Sequence, residues 1–150
     1  MPRLLYFFAC QKAIIDREDT NLSAIGILHG LEATYTSTDN ADASKPGRIP
    51  GSWAVISGWL RMPGDEDKIY EQHVSILSPE QEELAYIDTV FAMMERNHSN
   101  SGNANVFPVT CSGEYDLVLS LREVGDDKQW EEIARYPIEI LITQLPEPEQ

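Results

Sequence analysis

The segment that decides the fold is Gly113–Arg122, which reads GEYDLVLSLR. Its large apolar side chains recur at every second position from Tyr115 to Leu121, which is the period of a β-strand with one buried face. A Gly-Asp-Asp turn at 125–127 follows, and the segment from Trp130 to Thr143 then alternates in the same way. Because glycine and aspartate favour tight chain reversals, these two segments predict an antiparallel hairpin.

Four further segments have strand character. Leu4–Ile15 is almost continuously apolar, which predicts a strand that is covered on both faces near the centre of a sheet. Leu22–Leu31 follows after a polar turn. Trp53–Arg61 alternates, and an acidic turn joins it to Ile69–Leu77, so this pair predicts a second hairpin. The strands together predict a mainly β domain with the architecture of an antiparallel β-sandwich, immunoglobulin-like in broad outline.

The segment 79–95 is compatible with two structures. Ser78, Pro79 and Gln81 supply an N-cap, a first-turn proline and a capping-box partner. Apolar residues continue at helical spacing from Leu84 to Met94, which predicts one short helix. The same residues suit a hairpin turn and a strand, because the segment is rich in β-branched and aromatic side chains. Local rules slightly favour the helix.

Two polar stretches, Thr36–Gly51 and Asn97–Asn105, predict surface loops. Loops of this kind often carry binding residues. Trp130 lies among charged residues at a hairpin, which favours partial exposure, whereas Trp53 and Trp59 are expected in the core. The candidate partner or ligand contacts are therefore Asp39, Asn40, Lys45, Arg48, Asn97, His98, Asn100 and Trp130.

Composition limits the domain organisation and the partners. A chain of 150 residues can build one core, so we predict a single domain over 1–144 and a short acidic tail over 145–150. The chain has 25 acidic and 11 basic residues, a net charge of −14. Because nucleic acids and anionic membranes are bound mainly through Lys and Arg, neither is an expected partner.

The sequence also favours a cytoplasmic location. Gln11 and Lys12 interrupt the first apolar run, and no small-residue cleavage site follows it. No segment approaches the roughly 20 apolar residues that span a bilayer. Cys10 and Cys111 lie far apart in the sequence, and a cytoplasmic chain would keep both reduced.

Motifs for metal binding or catalysis are missing from the sequence. His29, His73 and His98 lie on separate predicted elements, and no Cys-x-x-Cys or His-x-x-x-His pair occurs. The chain also contains no Gly-x-Ser-x-Gly, phosphate-binding loop or Gly-x-Gly-x-x-Gly segment. We therefore expect no metal and no cofactor, and we assign no catalytic residue.

Two parts of the chain resemble a family of small bacterial proteins of unknown function. They are Leu4–Leu31, which contains FACQK and NLSAIGI, and Phe107–Ile140, which contains FPV and GEY. Members of that family open with two strands joined by a polar turn and close with Phe-Pro, Gly-x-Tyr and a hairpin. The resemblance covers roughly two-thirds of the chain and implies no active site. It also implies a strand in the central region, so we predict β-structure for Leu84–Met94.

Three functions remain open at this stage. The first is a non-catalytic protein-interaction or assembly module, which would bind a protein partner or form a homodimer through exposed β-edges. The second is a small-ligand or carbohydrate-binding domain, which requires a pocket where the predicted loops converge. The third is an enzyme with an unrecognised site. The polar loops, the acidic surface and the missing catalytic motifs favour the first.

Overall fold

The structure, a computed structural model, describes residues 1–16, 18, 21–35, 47–125 and 129–144. These residues form β-strands joined by turns, and they include no helix. The mainly β class predicted from the alternating segments is therefore confirmed. The strands are β1 (Arg3–Ile15), β2 (Leu22–Ile27), β3 (Gly30–Tyr35), β4 (Gly47–Leu60), β5 (Ile69–Leu77), β6 (Glu83–Ala92), β7 (Asn97–Val109), β8 (Gly113–Glu123) and β9 (Glu131–Gln144).

The strands form two sheets. The four-stranded sheet has the order β2-β1-β4-β7, and the five-stranded sheet has the order β3-β9-β8-β5-β6. The predicted antiparallel pairing is wrong for one pair, since β3 runs parallel to β9, with Gly30 opposite Glu139. The parallel contact arises because the chain crosses between the sheets at His29, whose carbonyl accepts a hydrogen bond from the amide of Glu139.

The core lies between the facing surfaces of the two sheets. Trp53, Trp59 and Phe107 come from the four-stranded sheet and pack in one cluster with Tyr70 and Leu119 of the five-stranded sheet. Trp53 and Trp59 are both buried, as expected. Burying large side chains from both sheets supplies the main favourable free energy of folding.

The four-stranded sheet also has an apolar outer face. Ala54 and Ile56 alternate along β4 with the core residues Trp53 and Val55, so they face the opposite side of the sheet. They form a second buried cluster with Cys10 of β1. Strand β1 is thus an internal strand with apolar groups on both faces, as its sequence predicted.

One predicted hairpin is confirmed and the other is wrong. Strands β8 and β9 pair antiparallel, with Tyr115 opposite Ile138 and Leu117 opposite Tyr136. In contrast, β4 and β5 lie in different sheets, because the turn between them carries the chain across the domain. The buried carboxylate of Asp65 holds this turn and accepts a 2.8 Å hydrogen bond from the Met62 amide.

The segment 79–95 contains strand β6, so the β-structure predicted for Leu84–Met94 is confirmed and the short helix suggested by local signals is wrong. The Ser78 hydroxyl accepts a hydrogen bond from the Glu82 amide, as an N-cap would, but here it closes the turn between β5 and β6. Gln81 reverses the chain with a φ of 65°. Pairing with β5 along almost the whole of β6 outweighs the local helical preference.

Both predicted polar loops need correction. Asn97–Asn105 lies in strand β7, which pairs with β4 from the opposition of Asn97 and Leu60 onward. Asparagine and serine are tolerated there because most of these side chains are at least partly exposed, and the buried Asn100 side chain bonds Gln72. The last part of Thr36–Gly51 belongs to β4, while 36–46 lie outside the described residues, as does the predicted tail at 145–150.

Candidate functional site: the outer surface of strand β6

An exposed apolar stripe follows strand β6. Tyr86, Val90 and Met94 are 60%, 63% and 79% exposed, which makes them the most exposed large hydrophobic side chains in the described part of the chain. They recur at every fourth position, so the stripe continues along one side of the strand and past its end at Ala92. Singly exposed apolar residues are ordinary, but a row of them on one element marks a candidate contact surface. We call this row the β6 stripe.

The fold determines which side chains of β6 form this stripe. Ile87 and Phe91 point toward the opposite sheet and pack against the core. Tyr86 and Val90 alternate with them and therefore face solvent on the outer side of the five-stranded sheet.

The end of the stripe is anchored through the backbone. Met93 is fully buried, whereas the neighbouring Met94 side chain projects into solvent. The guanidinium of Arg61 donates a 2.9 Å hydrogen bond to the Met94 carbonyl. The exposed thioether chain is thus attached to a fixed backbone position.

The Tyr86 ring of the stripe is the first of three neighbouring rings. The His73 ring stacks on Tyr86 at a centroid distance of 5.0 Å and lies 5.5 Å from Trp130. On its other side, Trp130 is covered by the guanidinium of Arg122, 4.3 Å from the ring centroid. Aromatic stacking and cation–π contacts of this kind limit the side-chain motion of Tyr86 and Trp130.

The two ring nitrogens of His73 each lie within hydrogen-bond distance of a carboxylate of strand β6. Its Nδ1 lies 2.5 Å from Asp88 Oδ1, and its Nε2 lies 3.2 Å from Glu83 Oε1. Asp88 stands directly opposite His73 in the register of β5 and β6. The side chain of Asp88 remains 42% exposed, so it also faces solvent between Tyr86 and Val90.

The surface around the stripe is acidic. The sequence 78–95 contains Glu80, Glu82, Glu83, Asp88 and Glu95 but no Lys or Arg. Among the described residues, Arg61 lies at the Met94 end of the stripe, and two arginines on the outer face of the sheet, Arg122 and Arg135, are in ion pairs. Arg122 lies 2.6 Å from Glu71, and Arg135 bridges Glu132 and Asp116.

The sequence-predicted contact residues that the structure describes do not come together in one site. Asp39, Asn40 and Lys45 lie outside the described residues. Arg48 lies in β4 opposite Pro108, and Asn97 lies at the start of β7. Only Trp130, of the predicted residues that the structure describes, lies beside the β6 stripe.

Asn100 and His98 belong to a polar network between the sheets. Gln72 Oε1 accepts hydrogen bonds from Ser57 at 2.5 Å, from the Trp59 indole at 3.0 Å and from Asn100 at 3.2 Å. His98 Nε2 lies 2.8 Å from Asn100 Oδ1. Asn100 is buried, and its described contacts are with Gln72 and His98 inside the protein, so its role as a partner or ligand contact stays a prediction.

A small cavity lies elsewhere, at one end of the core. It has a volume of about 260 Å³ and is walled mainly by apolar side chains, including Leu28, Leu31, Trp53 and Phe107. Trp130 does not line it, and Asn97–Asn105 is a strand rather than a loop. Ile49, Pro50 and Gly51, at the end of the predicted loop Thr36–Gly51, do line the cavity, so a ligand site built from the loops stays a prediction.

The described residues contain no group of three or more His, Cys, Asp or Glu side chains that could hold a metal ion. The residues that sequence reasoning missed are Tyr86, Val90 and Met94. Their signal was alternation with inward-facing Ile87 in the predicted strand Leu84–Met94, but the contact residues were chosen from polar loops and a charged hairpin instead.

Comparisons with known proteins leave this chain without an assigned family. Neither a family model nor a curated protein matches it. Among solved structures, it is similar to a crystal structure of the protein designated ApaA from Bordetella pertussis, with a TM-score of 0.42 and 8% identity. The match covers 93% of this chain and 94% of the other.

In the described residues, no helix is long and apolar enough to cross a membrane.

Proposed function

We propose that this chain is a non-catalytic protein-interaction domain that docks its partner on the β6 stripe. The observation that carries the proposal is the row of Tyr86, Val90 and Met94 on one strand, all more than half exposed. Aromatic side chains and methionine are enriched in protein interfaces, and large exposed apolar patches are uncommon on surfaces that bind nothing.

The rigidity of the surface supports the same function. Tyr86 and Val90 lie on a paired strand, and Tyr86 stacks on His73, which Asp88 holds. A surface that is already ordered loses little conformational entropy when a partner binds. Most of the apolar contact made by the β6 stripe would therefore contribute to affinity.

Self-association through this stripe is less well supported than the binding of a different protein. Each copy carries a net charge of −14, and the sequence 78–95 adds acidic groups without a basic one. Two such surfaces would repel each other over distances of about 10 Å at moderate ionic strength. The same charge attracts a basic partner and speeds its encounter.

The architecture and location predicted from the sequence also remain proposals. The Tyr115 hydroxyl bonds back to the backbone of Thr110 and Cys111, as in the tyrosine corner of immunoglobulin-like sandwiches, which supports that architecture. Cys10 and Cys111 are free thiols, which supports a reducing, cytoplasmic location.

Affinity capture with matched variants tests the docking surface. The tagged chain should retain a stoichiometric protein that purified components rebind, and Tyr86→Thr with Val90→Thr should abolish retention. The matched control is Ile25→Thr with Ile27→Thr, which removes two exposed apolar side chains from β2 in the other sheet. Threonine preserves strand preference in both pairs. Equal retention by both double variants would rule out the β6 stripe.

Carbohydrate binding is the second candidate, because the rings of Tyr86 and Trp130 flank His73 and could stack on sugar rings. A glycan array probed with the intact chain and with Trp130→Ala tests it. Binding that the substitution removes would favour carbohydrate over protein, and an array without binding would discard this candidate.

A further inference from the structure

The free edge of β6 is suited to accept another strand. Strand β6 ends the five-stranded sheet, and β5 is its one neighbour among the described strands. The pairing is regular from the opposition of Ile69 and Ala92 to that of Ile76 and Ala85, with an irregularity next to Leu77. A paired strand of ten residues presents a row of outward-pointing amides and carbonyls along its open side.

The usual protections of an edge strand are weak at β6. Proteins commonly block open edges with charged side chains, above all lysine, and with proline, bulges or very short strands, and the charged residues of β6 are Glu83 and Asp88. Strand β6 contains no Lys, Arg or Pro, and its irregular pairing is confined to one end. The edge strand β2, in contrast, is six residues long and is bent at Gly26, where φ is +67°.

We propose that the partner contributes an extended basic segment that adds as a strand to the open edge of β6. This inference rests on the proposed function and names the chemistry of its partner. Cross-strand neighbours on one face lie roughly 5 Å apart, so an added strand would place alternate side chains beside Tyr86, Asp88 and Val90. A Lys or Arg beside Asp88 would be flanked by apolar residues two positions away on each side.

The expected recognition pattern is therefore apolar-x-basic-x-apolar. Asp88 supplies the negative charge for the central residue, and the exposed Tyr86 ring can take part in a cation–π contact with it. The pattern is symmetric, so it reads the same whether the added strand runs parallel or antiparallel to β6. Backbone hydrogen bonds would supply affinity, and the three side-chain positions would supply specificity.

Selection from a displayed library of random peptides on the immobilised full chain tests the pattern. The retained peptides should be enriched in a central Lys or Arg with apolar residues two positions away, and their affinity should fall with rising salt. Asp88→Lys should weaken the best peptide by about tenfold. Asp88→Asn, which keeps the side-chain shape, should weaken it less. Retained peptides without a basic residue, or equal binding by Asp88→Lys, would overturn the charge assignment.

Backbone methylation of the best peptide separates strand addition from other modes of binding. Alternate amides of an added strand point toward β6, and the remaining amides point away from it. Methylating the first set should reduce affinity by at least about tenfold, whereas methylating the second set should be tolerated. Equal tolerance of both methylated peptides would show that the peptide does not pair with β6.

The outcomes also distinguish this inference from the proposed function. If no peptide is retained but capture of the natural partner still requires Tyr86 and Val90, the docking surface stands and strand addition is wrong. If capture is also insensitive to Tyr86 and Val90, both proposals fail. Circular dichroism and thermal unfolding of each variant verify that it remains folded.

Discussion

The Tyr70 hydroxyl donates a 2.6 Å hydrogen bond to Asp65 Oδ1, and both side chains are buried. Burial by itself would raise the pKa of the Asp65 carboxyl. Hydrogen bonds from Tyr70 and the Met62 amide, with the Met1 amino group 3.3 Å away, outweigh that effect and hold the pKa below its ordinary value. Burial and the hydrogen bond to Asp65 both raise the pKa of Tyr70. This pair fixes the turn that carries the chain from one sheet to the other.

Asp65→Asn should therefore destabilise the protein in a pH-dependent manner. Because the folded state lowers the pKa of Asp65, its carboxylate stabilises the fold above the unfolded pKa of about 3.9, and this contribution is lost as pH falls through the folded pKa. We expect a loss of about 2 kcal/mol at neutral pH and a smaller difference in acid. Urea unfolding of both proteins from pH 3 to pH 7 measures it.

Tyr70→Phe provides the control, since it removes the donor and leaves the carboxylate. Its destabilisation should not be additive with that of Asp65→Asn, because the two side chains share one hydrogen bond. A difference between Asp65→Asn and the parent protein that is constant with pH would contradict the assignment.

Gln72→Leu should destabilise the domain strongly. The substitution removes the oxygen that accepts hydrogen bonds from Ser57, Trp59 and Asn100 inside the protein. Leaving buried donors unpaired costs roughly 1–3 kcal/mol for each group, and we expect a total of about 3 kcal/mol because Trp59 can still bond Ser57. The free energy of unfolding from urea titration is the measurement. Asn103→Ala, at an exposed position on β7, should change it little.

Tyr115→Phe should reduce stability without changing the packing of the ring. Its hydroxyl accepts hydrogen bonds from the Thr110 and Cys111 amides and donates a 2.6 Å bond to the Cys111 carbonyl. We expect a loss of about 2 kcal/mol, measured as a lower midpoint of thermal or urea unfolding. Tyr86→Phe is the matched control, because the Tyr86 side chain is mostly exposed. Equal effects of the two substitutions would refute this role of the Tyr115 hydroxyl.

Gly58→Ala should force Tyr6 out of its position on the outer face of the four-stranded sheet. The Tyr6 ring lies where a Cβ at position 58 would be, and its hydroxyl bonds Ser99 Oγ at 2.7 Å. Overpacking of this kind costs roughly 1–3 kcal/mol. Tyr6→Ala should relieve the clash, so the double variant should be more stable than the sum of the single losses predicts. A double-mutant cycle of unfolding free energies measures the coupling, and strict additivity would contradict it.

Much of the local structure could be predicted from residue patterns. The alternation in Gly113–Arg122 and Trp130–Thr143 predicted β8, β9 and their pairing, and the apolar run Leu4–Ile15 predicted an internal strand. These predictions succeeded because alternation and turn chemistry act between residues close in sequence. The predictions that Trp53–Arg61 pairs with Ile69–Leu77 and that Asn97–Asn105 is a loop failed because β4 pairs with β1 and β7, which are distant from it in the chain.

The candidate site was mostly hidden from sequence reasoning. Trp130 was selected for its charged surroundings, and the structure places it beside His73 and Arg122. Tyr86 and Val90 were not selected, because their exposure depends on which face of β6 meets the core and on the position of β6 in the sheet. Asn100 was selected as polar, but polar side chains can also satisfy one another inside a protein.

The sequence by itself determined that this chain is rich in β-strands, acidic and without the familiar motifs of catalysis. Only the tertiary structure decided that β4 and β5 belong to different sheets, that Asn97–Val109 pairs as an edge strand, and that β6 ends the five-stranded sheet with its stripe exposed. The physical reason is that strand periodicity is encoded locally, whereas pairing and burial depend on contacts between segments distant in the chain.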